Sequence, residues 1–296
     1  MPGWSEILNQ VSAQADLVNA LRVIKSEYYK RLSEITGRNI ISYYSGWMFK
    51  PTASDVSIND KDKNAFMSAI HNLDKTKGLD LILHTPGGDI AATESLIEYI
   101  HSIFEGNIRA IIPQISMSAG SMIALSCKDI VMGKQSSLGP IDPQINGIAC
   151  QAVLDEFEDA KRDVKDNPNS IGLWQVIVAK YNPTFLITCK NAAEWAEQIA
   201  KKWIPKVHPQ IDMDAVLHKF LNHKTTKAHN RHISAEECKA VGLSVVNMED
   251  NNEMQDLILS IHHCYMILLE RTNFVKIVEN NIGSAYIIQL PNSQKN

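Results

Sequence analysis

Apolar residues recur along the chain first at helical spacing and then in short runs. In residues 5–36 they return every three or four positions, which predicts one long helix that ends at Gly37. Four short apolar runs then predict strands, at "GRNIISYYSGW", "LDLILHT", "IRAIIPQI" and the start of "DIVMGKQSSLGPIDPQI". Because amphipathic helical segments separate these runs, the pattern indicates an α/β fold with largely parallel strand pairing.

Helical patterns dominate the chain after residue 150. Four helices are predicted in succession, and "HISAEECKAVGLSVV" predicts a helix that leads into a strand. The tail predicts one more helix and a strand at "SAYIIQL". We therefore divide the chain into an N-terminal helical segment (1–36), an α/β domain (37–250) and a C-terminal helix and strand extension (251–296).

Two strand-to-helix junctions carry the candidate chemistry. In "HTPGGDI", the amides of Gly87 and Gly88 could face a cleft and bind developing negative charge, although glycines are also ordinary turn residues. This motif lacks the Lys and Ser/Thr of a phosphate-binding loop. In "ISMSAGSM", Ser118 could act as a nucleophile beside the free amide of Ala119, or it could simply cap the following helix.

The composition argues against some classes of binding partner and of cellular location. The chain has 296 residues, of which 45% are hydrophobic and 21% charged, and its net charge is -4. These values are ordinary for a globular protein and predict no nucleic-acid partner. Five scattered cysteines without a C-x-x-C pair are typical of reduced thiols, and no apolar run reaches the roughly 18 residues of a membrane span. We expect a cytoplasmic protein that is not inserted in a membrane.

The order and spacing of these motifs resemble a known superfamily. A strand followed by "PGG" and a helix, then a strand followed by "SAG" and a helix, then "GPIDP", are similar to the Clp-protease/crotonase-like superfamily. Within it the chain resembles the SDH-type (serine dehydrogenase proteinase) family of Clp-fold serine proteases, related to signal peptide peptidase A. The similarity covers residues 79–145 and 229–246. It implies a spiral of repeated ββα units with additional terminal helices, and makes 37–250 the catalytic domain.

The resemblance assigns roles to the first set of residues. It implies that Ser118 is the nucleophile of a serine peptidase. It also implies that the amides of Ala119 and of Gly88 or Gly87 form the oxyanion hole. The reaction would pass through an acyl-enzyme and would need no cofactor.

A serine nucleophile needs a base, and here the chain departs from the Clp proteolytic subunit. Where that family has its histidine this chain has Asp142, and where that family has its aspartate the chain has Asn230 beside His229. The SDH-type family resembles the chain at both places, which implies His229 as base and Asp142 as the orienting acid. Lysine is the alternative base, with Lys161 and Lys165 as candidates.

The clustered histidines are also candidate metal ligands. Four of them cluster, but their spacing matches no zinc motif and no H-E-x-x-H is present, so we expect no metal. The cluster consists of His218, His223, His229 and His232. The adjacent His262 and His263 lie in an apolar helical pattern and receive no function.

Three functions remain open at this point. The first is a serine endopeptidase acting on extended peptides or unfolded protein. The second is a crotonase-like acyl-CoA enzyme, which would use the same amides to stabilise a thioester enolate. The third is a non-catalytic oligomeric module of the same fold. A homo-oligomer is expected from the superfamily, with the helices at 5–36 and 251–270 as contact surfaces.

Overall fold

The structure is a computed structural model that describes residues 3–12 and 16–291, with only the backbone of Ser12. In these ranges the helices are α1 (Trp4–Ser12), α2 (Leu17–Thr36), α3 (Lys61–Ile70), α4 (Ile90–Phe104), α5 (Ala119–Leu125), α6 (Cys150–Asp166), α7 (Ile171–Val178), α8 (Phe185–Val207), α9 (Met213–Phe220), α10 (His223–Thr226), α11 (Ala235–Ala240) and α12 (Asn252–Arg271). The strands are β1 (Asn39–Ser45), β2 (Leu79–His84), β3 (Ile108–Ile112), β4 (Ile115–Ser116), β5 (Asp129–Met132), β6 (Ser137–Leu138), β7 (Gln144–Ile145), β8 (Ile148–Ala149), β9 (Val245–Asn247), β10 (Phe274–Asn280) and β11 (Ala285–Gln289).

The central sheet has seven strands in the order β11-β10-β1-β2-β3-β5-β9. Strands β1, β2, β3, β5 and β9 pair in parallel, while β10 and β11 add an antiparallel edge. Strand-forming apolar runs separated by helices produce this arrangement, because parallel strands need crossover connections. The predicted α/β fold with largely parallel pairing is confirmed.

Alternate side chains of the central strands enter two hydrophobic cores. On β2, Leu81 faces the core under α3, α4, α5 and α8, and Ile82 faces the core under α1, α2 and α12. Both side chains are fully buried. The period of two along each strand therefore places helices on both faces of the sheet.

A second tier of short strand pairings lies beyond the carboxyl ends of the parallel strands. It comprises the pair β4–β6 and the isolated bridges Ile58–Gly88, Thr85–Ser116 and Leu138–Ile233. In this tier the strand β3 continues through β4 into α5, one ββα step of the predicted spiral. The tier brings the "PGG", "SAG" and "GPIDP" segments side by side, where the candidate residues lie.

The N-terminal prediction of one helix is wrong, because the structure has two. Asp16 caps α2, and its side chain accepts a hydrogen bond from the amide of Asn19 at 3.0 Å. An Asp at a helix N-cap satisfies one of the free amides of the first turn, so it starts a new helix within a periodic pattern. Residues 13–15 lie outside the described ranges.

Strand β10 was missed by the sequence analysis. Two charged residues interrupt its apolar pattern, but both are buried in ion pairs, Lys276 with Asp62 and Glu279 with Lys25. Pairing with distant partners allows a charge inside a sheet, which a local pattern cannot reveal. Because β10 pairs with β1, the C-terminal segment is part of the central sheet. The division at residues 36 and 250 stays a prediction.

Helix α6 and the first part of α8 form a small separate core around Cys150, Val153 and Cys189. Helix α7 contributes no buried residue, and Leu173 and Val176 are each 62% exposed. All five cysteines are buried and free. None of the helices in the described ranges is both long and apolar enough for a membrane crossing. The predicted homo-oligomer and cytoplasmic location stay predictions.

Candidate active site

Ser118 lies at a sharp turn between β4 and α5. Its φ of 50° and ψ of -117° place a non-glycine residue in a strained backbone region. The side chain is partly exposed and makes no capping hydrogen bond to α5, so the capping interpretation is wrong. A serine held in strain at a strand-to-helix junction is typical of a nucleophile elbow.

The small residues after Ser118 serve close packing. A Cβ added to Gly120 would collide with Thr85 Cγ2 and Ser116 Oγ. Ser121 Oγ donates to the Ser116 carbonyl at 2.7 Å and accepts from the Gly139 amide at 2.8 Å. The start of α5 therefore packs directly on the second tier, and Ser121 attaches the "GPIDP" loop to it.

The "PGG" turn packs directly against Ser118. Gly87 has a φ of 96°, and a Cβ added there would lie 2.7 Å from Ser118 Cβ and 2.9 Å from the Ala119 nitrogen. Its own amide donates to Thr85 Oγ1 at 3.1 Å. Glycine is required at this position both by the positive φ and by the absence of space for a side chain.

Two main-chain amides beside Ser118 have no partner in the described ranges. The Gly87 carbonyl accepts from the Ile58 amide at 2.8 Å, and the Asp89 amide donates to the Ile58 carbonyl at 2.9 Å. In such a parallel bridge the intervening Gly88 amide points away from Ile58. Within the described ranges neither the Gly88 amide nor the Ala119 amide finds an acceptor. Unpaired amides lining a cleft are ready donors for a ligand oxygen.

A cleft of about 370 Å³ joins these features. Apolar side chains from four segments form much of its wall: Ile90, Met122, Ile141, Ile145, Ala192 and Ala196. The "PGG" turn, Ser118 and Ala119 form another part, and His229 lines it as well. Asp89 is the carboxylate among the described lining residues, and its Oδ1 already accepts from the Ala92 amide at 2.8 Å.

His229 is held by a buried carboxylate. Its Nδ1 lies 2.8 Å from Asp142 Oδ1, and the Asp142 side chain is 1% exposed. Since an ionised carboxylate only accepts hydrogen bonds, Nδ1 carries the proton and Nε2 is left as a proton acceptor. The antiparallel bridge between Leu138 and Ile233 brings the two loops together. Asp142 and His229, which lie 87 residues apart in sequence, thus form a pair at the edge of the cleft.

Ser118 and His229 line the same cleft without a hydrogen bond between them. Ser118 Oγ makes none within the described part of the chain. In unliganded active sites such bonds are often long and tighten when substrate binds. The structure therefore brings together the residues predicted from the sequence: Ser118, Ala119, Gly87, Gly88, Asp142 and His229.

The alternative base does not reach the cleft. Lys161 is 68% exposed and pairs with Glu158 at 2.7 Å on α6. Lys165 is exposed near the end of the same helix. Neither lysine belongs to the lining of the cleft.

The other clustered histidines are distributed around the site. His232 Nδ1 lies 2.7 Å from Ser137 Oγ, and His218 Nε2 lies 3.0 Å from Thr225 Oγ1. His223 approaches Asp142, a contact that the sequence analysis missed because it considered His223 only as a metal ligand. Over the described residues, His, Cys, Asp and Glu form no group of three that could hold a metal ion.

Comparison with known proteins places the chain in a family. A family model, described as the ClpP-like SDH-type serine proteinases, matches residues 7–181. The chain belongs to this family. The matched range includes Ser118, the "PGG" turn and Asp142 but ends before His229. The resemblance inferred from the sequence motifs is confirmed, and the family indicates a serine peptidase.

Two curated relatives are uncharacterized proteins of Methanocaldococcus jannaschii. One is 32% identical over 114 residues, covering 38% of this chain and 40% of the relative. The other is 31% identical over 148 residues, covering 49% of this chain and 50% of the relative. The chain thus spans half or less of the length of these relatives, whose names give no activity.

Proposed function

We propose that this chain is a serine endopeptidase that hydrolyses peptide bonds through an acyl-enzyme on Ser118. One observation carries the proposal: His229, paired with Asp142 at 2.8 Å, lines the same cleft as Ser118 and two amides that have no acceptor among the described residues. A nucleophile, a base with its orienting acid, and oxyanion donors are the parts that acyl transfer requires.

The roles follow from the chemistry of each group. His229 Nε2 accepts the proton of Ser118 Oγ as the oxygen attacks the peptide carbonyl carbon. The imidazolium then gives this proton to the leaving amine, which departs and leaves the acyl-enzyme. Water, activated by the same imidazole, releases the acyl group. Asp142 keeps the ring of His229 in the required orientation and stabilises its charged form.

The oxyanion is assigned to the amides of Gly88 and Ala119. Both are unpaired among the described residues, whereas the Gly87 amide is already bonded to Thr85 Oγ1. Gly87 instead allows the turn to pack directly against Ser118. Two such donors stabilise the negative charge that develops on the substrate oxygen in the transition state.

The chemistry of the cleft wall supports a proposal for the substrate class. Its wall contains Ile90, Met122, Ile141 and Ile145, which suit an apolar side chain next to the scissile bond. We propose unfolded or extended polypeptide as the substrate class. The acyl-CoA alternative receives no support, because the Asp89 carboxylate in the cleft already caps α4.

An active-serine probe tests this proposal. The purified chain is treated with a fluorophosphonate, and the adduct is mapped by mass spectrometry alongside an assay for cleavage of an unfolded protein. We expect labelling at Ser118 and cleavage, both abolished in Ser118→Ala. Ser102→Ala, which changes an exposed serine on α4, is the matched control and should retain both. The proposal would be refuted if the wild-type protein were not labelled at Ser118 and did not cleave the unfolded protein.

A further inference from the structure

The Asp142 carboxylate faces a second histidine. Its Oδ1 accepts from His229, and its Oδ2 lies 3.6 Å from His223 Nδ1. Among the described residues neither Oδ2 nor this Nδ1 has a hydrogen-bond partner, and both atoms are buried. A carboxylate oxygen accepts and a ring nitrogen can donate, so two complementary unsatisfied atoms lie opposite each other.

We propose that His223 is a positioning residue that holds the second oxygen of Asp142, so that the carboxylate is fixed by two histidines. This inference rests on the proposed function of Asp142 and His229. An approach of about half an ångström would bring the two atoms within hydrogen-bond range. His229 lines the cleft and acts on substrate, whereas His223 is not among the lining residues and acts through Asp142.

The local structure connects both histidines to the same segment. His223 is the first residue of α10, which Asn222 caps by accepting from the amides of Lys224 and Thr225. The Thr225 carbonyl in turn accepts from Arg231 Nη1 at 2.8 Å. Helix α10 is therefore tied to the loop that carries His229, and a shift of one is transmitted to the other.

Other charged groups near His223 are paired with one another. Their pairs are Lys224 with Asp155 at 3.3 Å, Lys219 with Glu237 at 2.7 Å and Arg231 with Glu237 at 3.5 Å. His218 contacts Thr225 Oγ1. Burial raises the pKa of the Cys150 thiol, which also feels Asp142, to about 12, and therefore keeps this thiol neutral. Asp142 Oδ2 is thus the acidic partner left for His223.

The proposal predicts a measurable effect on pH dependence. A donor on Oδ2 shares the negative charge of Asp142, so the carboxylate acts less strongly on His229. Without that donor the charged form of His229 is favoured, and the acid limb of the pH profile moves to higher pH. The orientation of His229 is also loosened, which lowers the rate at every pH.

The test compares two substitutions that differ in the donor. His223→Leu removes it, and His223→Asn keeps an N–H close to the position of Nδ1. For His223→Leu we expect about tenfold slower fluorophosphonate labelling and an acid-limb midpoint higher by about half a pH unit. In His223→Asn the labelling rate and the midpoint should return toward their wild-type values. Lys224→Ala, on the exposed side of the same turn, is the matched control and should leave both unchanged.

A structural role would give a different result. The proposal is overturned if His223→Leu and His223→Asn slow labelling equally and the acid-limb midpoint does not move. It is also overturned if His223→Leu behaves as wild type. NMR titration of the His229 ring in ¹⁵N-histidine-labelled protein gives a readout without activity. A higher midpoint in His223→Leu, recovered in His223→Asn, supports the inference even where Ser118 fails to label. Failure of labelling would then count against the proposed function alone.

Discussion

His84 makes the fold sensitive to mild acid. It lies at the end of β2, is 0% exposed, and its ring packs against Trp47 and Tyr44 at centroid distances of 4.4 and 5.5 Å. Within the described part of the chain neither ring nitrogen has a partner in hydrogen-bond geometry, although the ring approaches the Ile115 main chain. Burial lowers the pKa of His84 from 6.5 to about 3, and Ile115 offsets only part of this effect.

The sign of the effect follows from which state binds the proton. Below pH 6.5 the unfolded chain protonates His84 while the folded chain keeps it neutral, so the free energy of unfolding falls as the pH falls. Each pH unit below 6.5 lowers the free energy of unfolding by about 1.4 kcal/mol, so that about 2 kcal/mol is lost at pH 5. The full loss, reached below pH 3, is about 5 kcal/mol.

Urea denaturation at pH 7.5 and pH 5 measures this loss. His84→Leu replaces the ring with an apolar side chain of similar size and removes the proton site. Between pH 7.5 and pH 5, we expect the free energy of unfolding of this variant to fall by about 2 kcal/mol less than that of wild type. His71→Leu, at an exposed histidine, is the control and should lose as much as wild type. An equal loss in His84→Leu and wild type would refute the reasoning.

Three further predictions concern the cleft and the sheet. Gly88→Ala, whose Cβ would collide with the main chain of Ile58, should displace the amide proposed for the oxyanion hole and slow fluorophosphonate labelling of Ser118 by about 100-fold. Lys276→Met should leave Asp62 buried without its cation and lower the free energy of unfolding by about 3–5 kcal/mol in urea. Ala192→Phe should narrow the cleft and raise KM for bulky peptides, with little effect on labelling by a small phosphonate.

Each of these has a result that contradicts it. Gly172→Ala, where an added Cβ meets nothing within 4 Å, should label as wild type, and equal behaviour of the two glycine variants would exclude the Gly88 assignment. A Lys276→Met protein as stable as wild type would show that Asp62 is satisfied by its other partners. Unchanged peptide KM in Ala192→Phe would place the substrate elsewhere.

Local patterns in the sequence determined the elements and the reactive motifs. The apolar spacing of "IAATESLIEYIHSIF" predicted a helix, and α4 spans those residues from Ile90 to Phe104. The alternation of strands and helices predicted the α/β fold, and two junction motifs pointed to Ser118 and the "PGG" turn. These inferences succeed because spacing and turn chemistry act between residues a few positions apart.

Tertiary structure alone decided the pairings between distant residues. Strand β10 was hidden by Lys276, whose partner Asp62 lies 214 residues away. Sequence reasoning left the base open between His229 and two lysines, and only the fold brings His229 to Asp142 and leaves Lys161 in solvent. The approach of His223 to the same carboxylate likewise has no local signal. Burial and charge pairing depend on which segments meet in space, and this is determined by the packing of the sheet and its helices rather than by neighbouring residues.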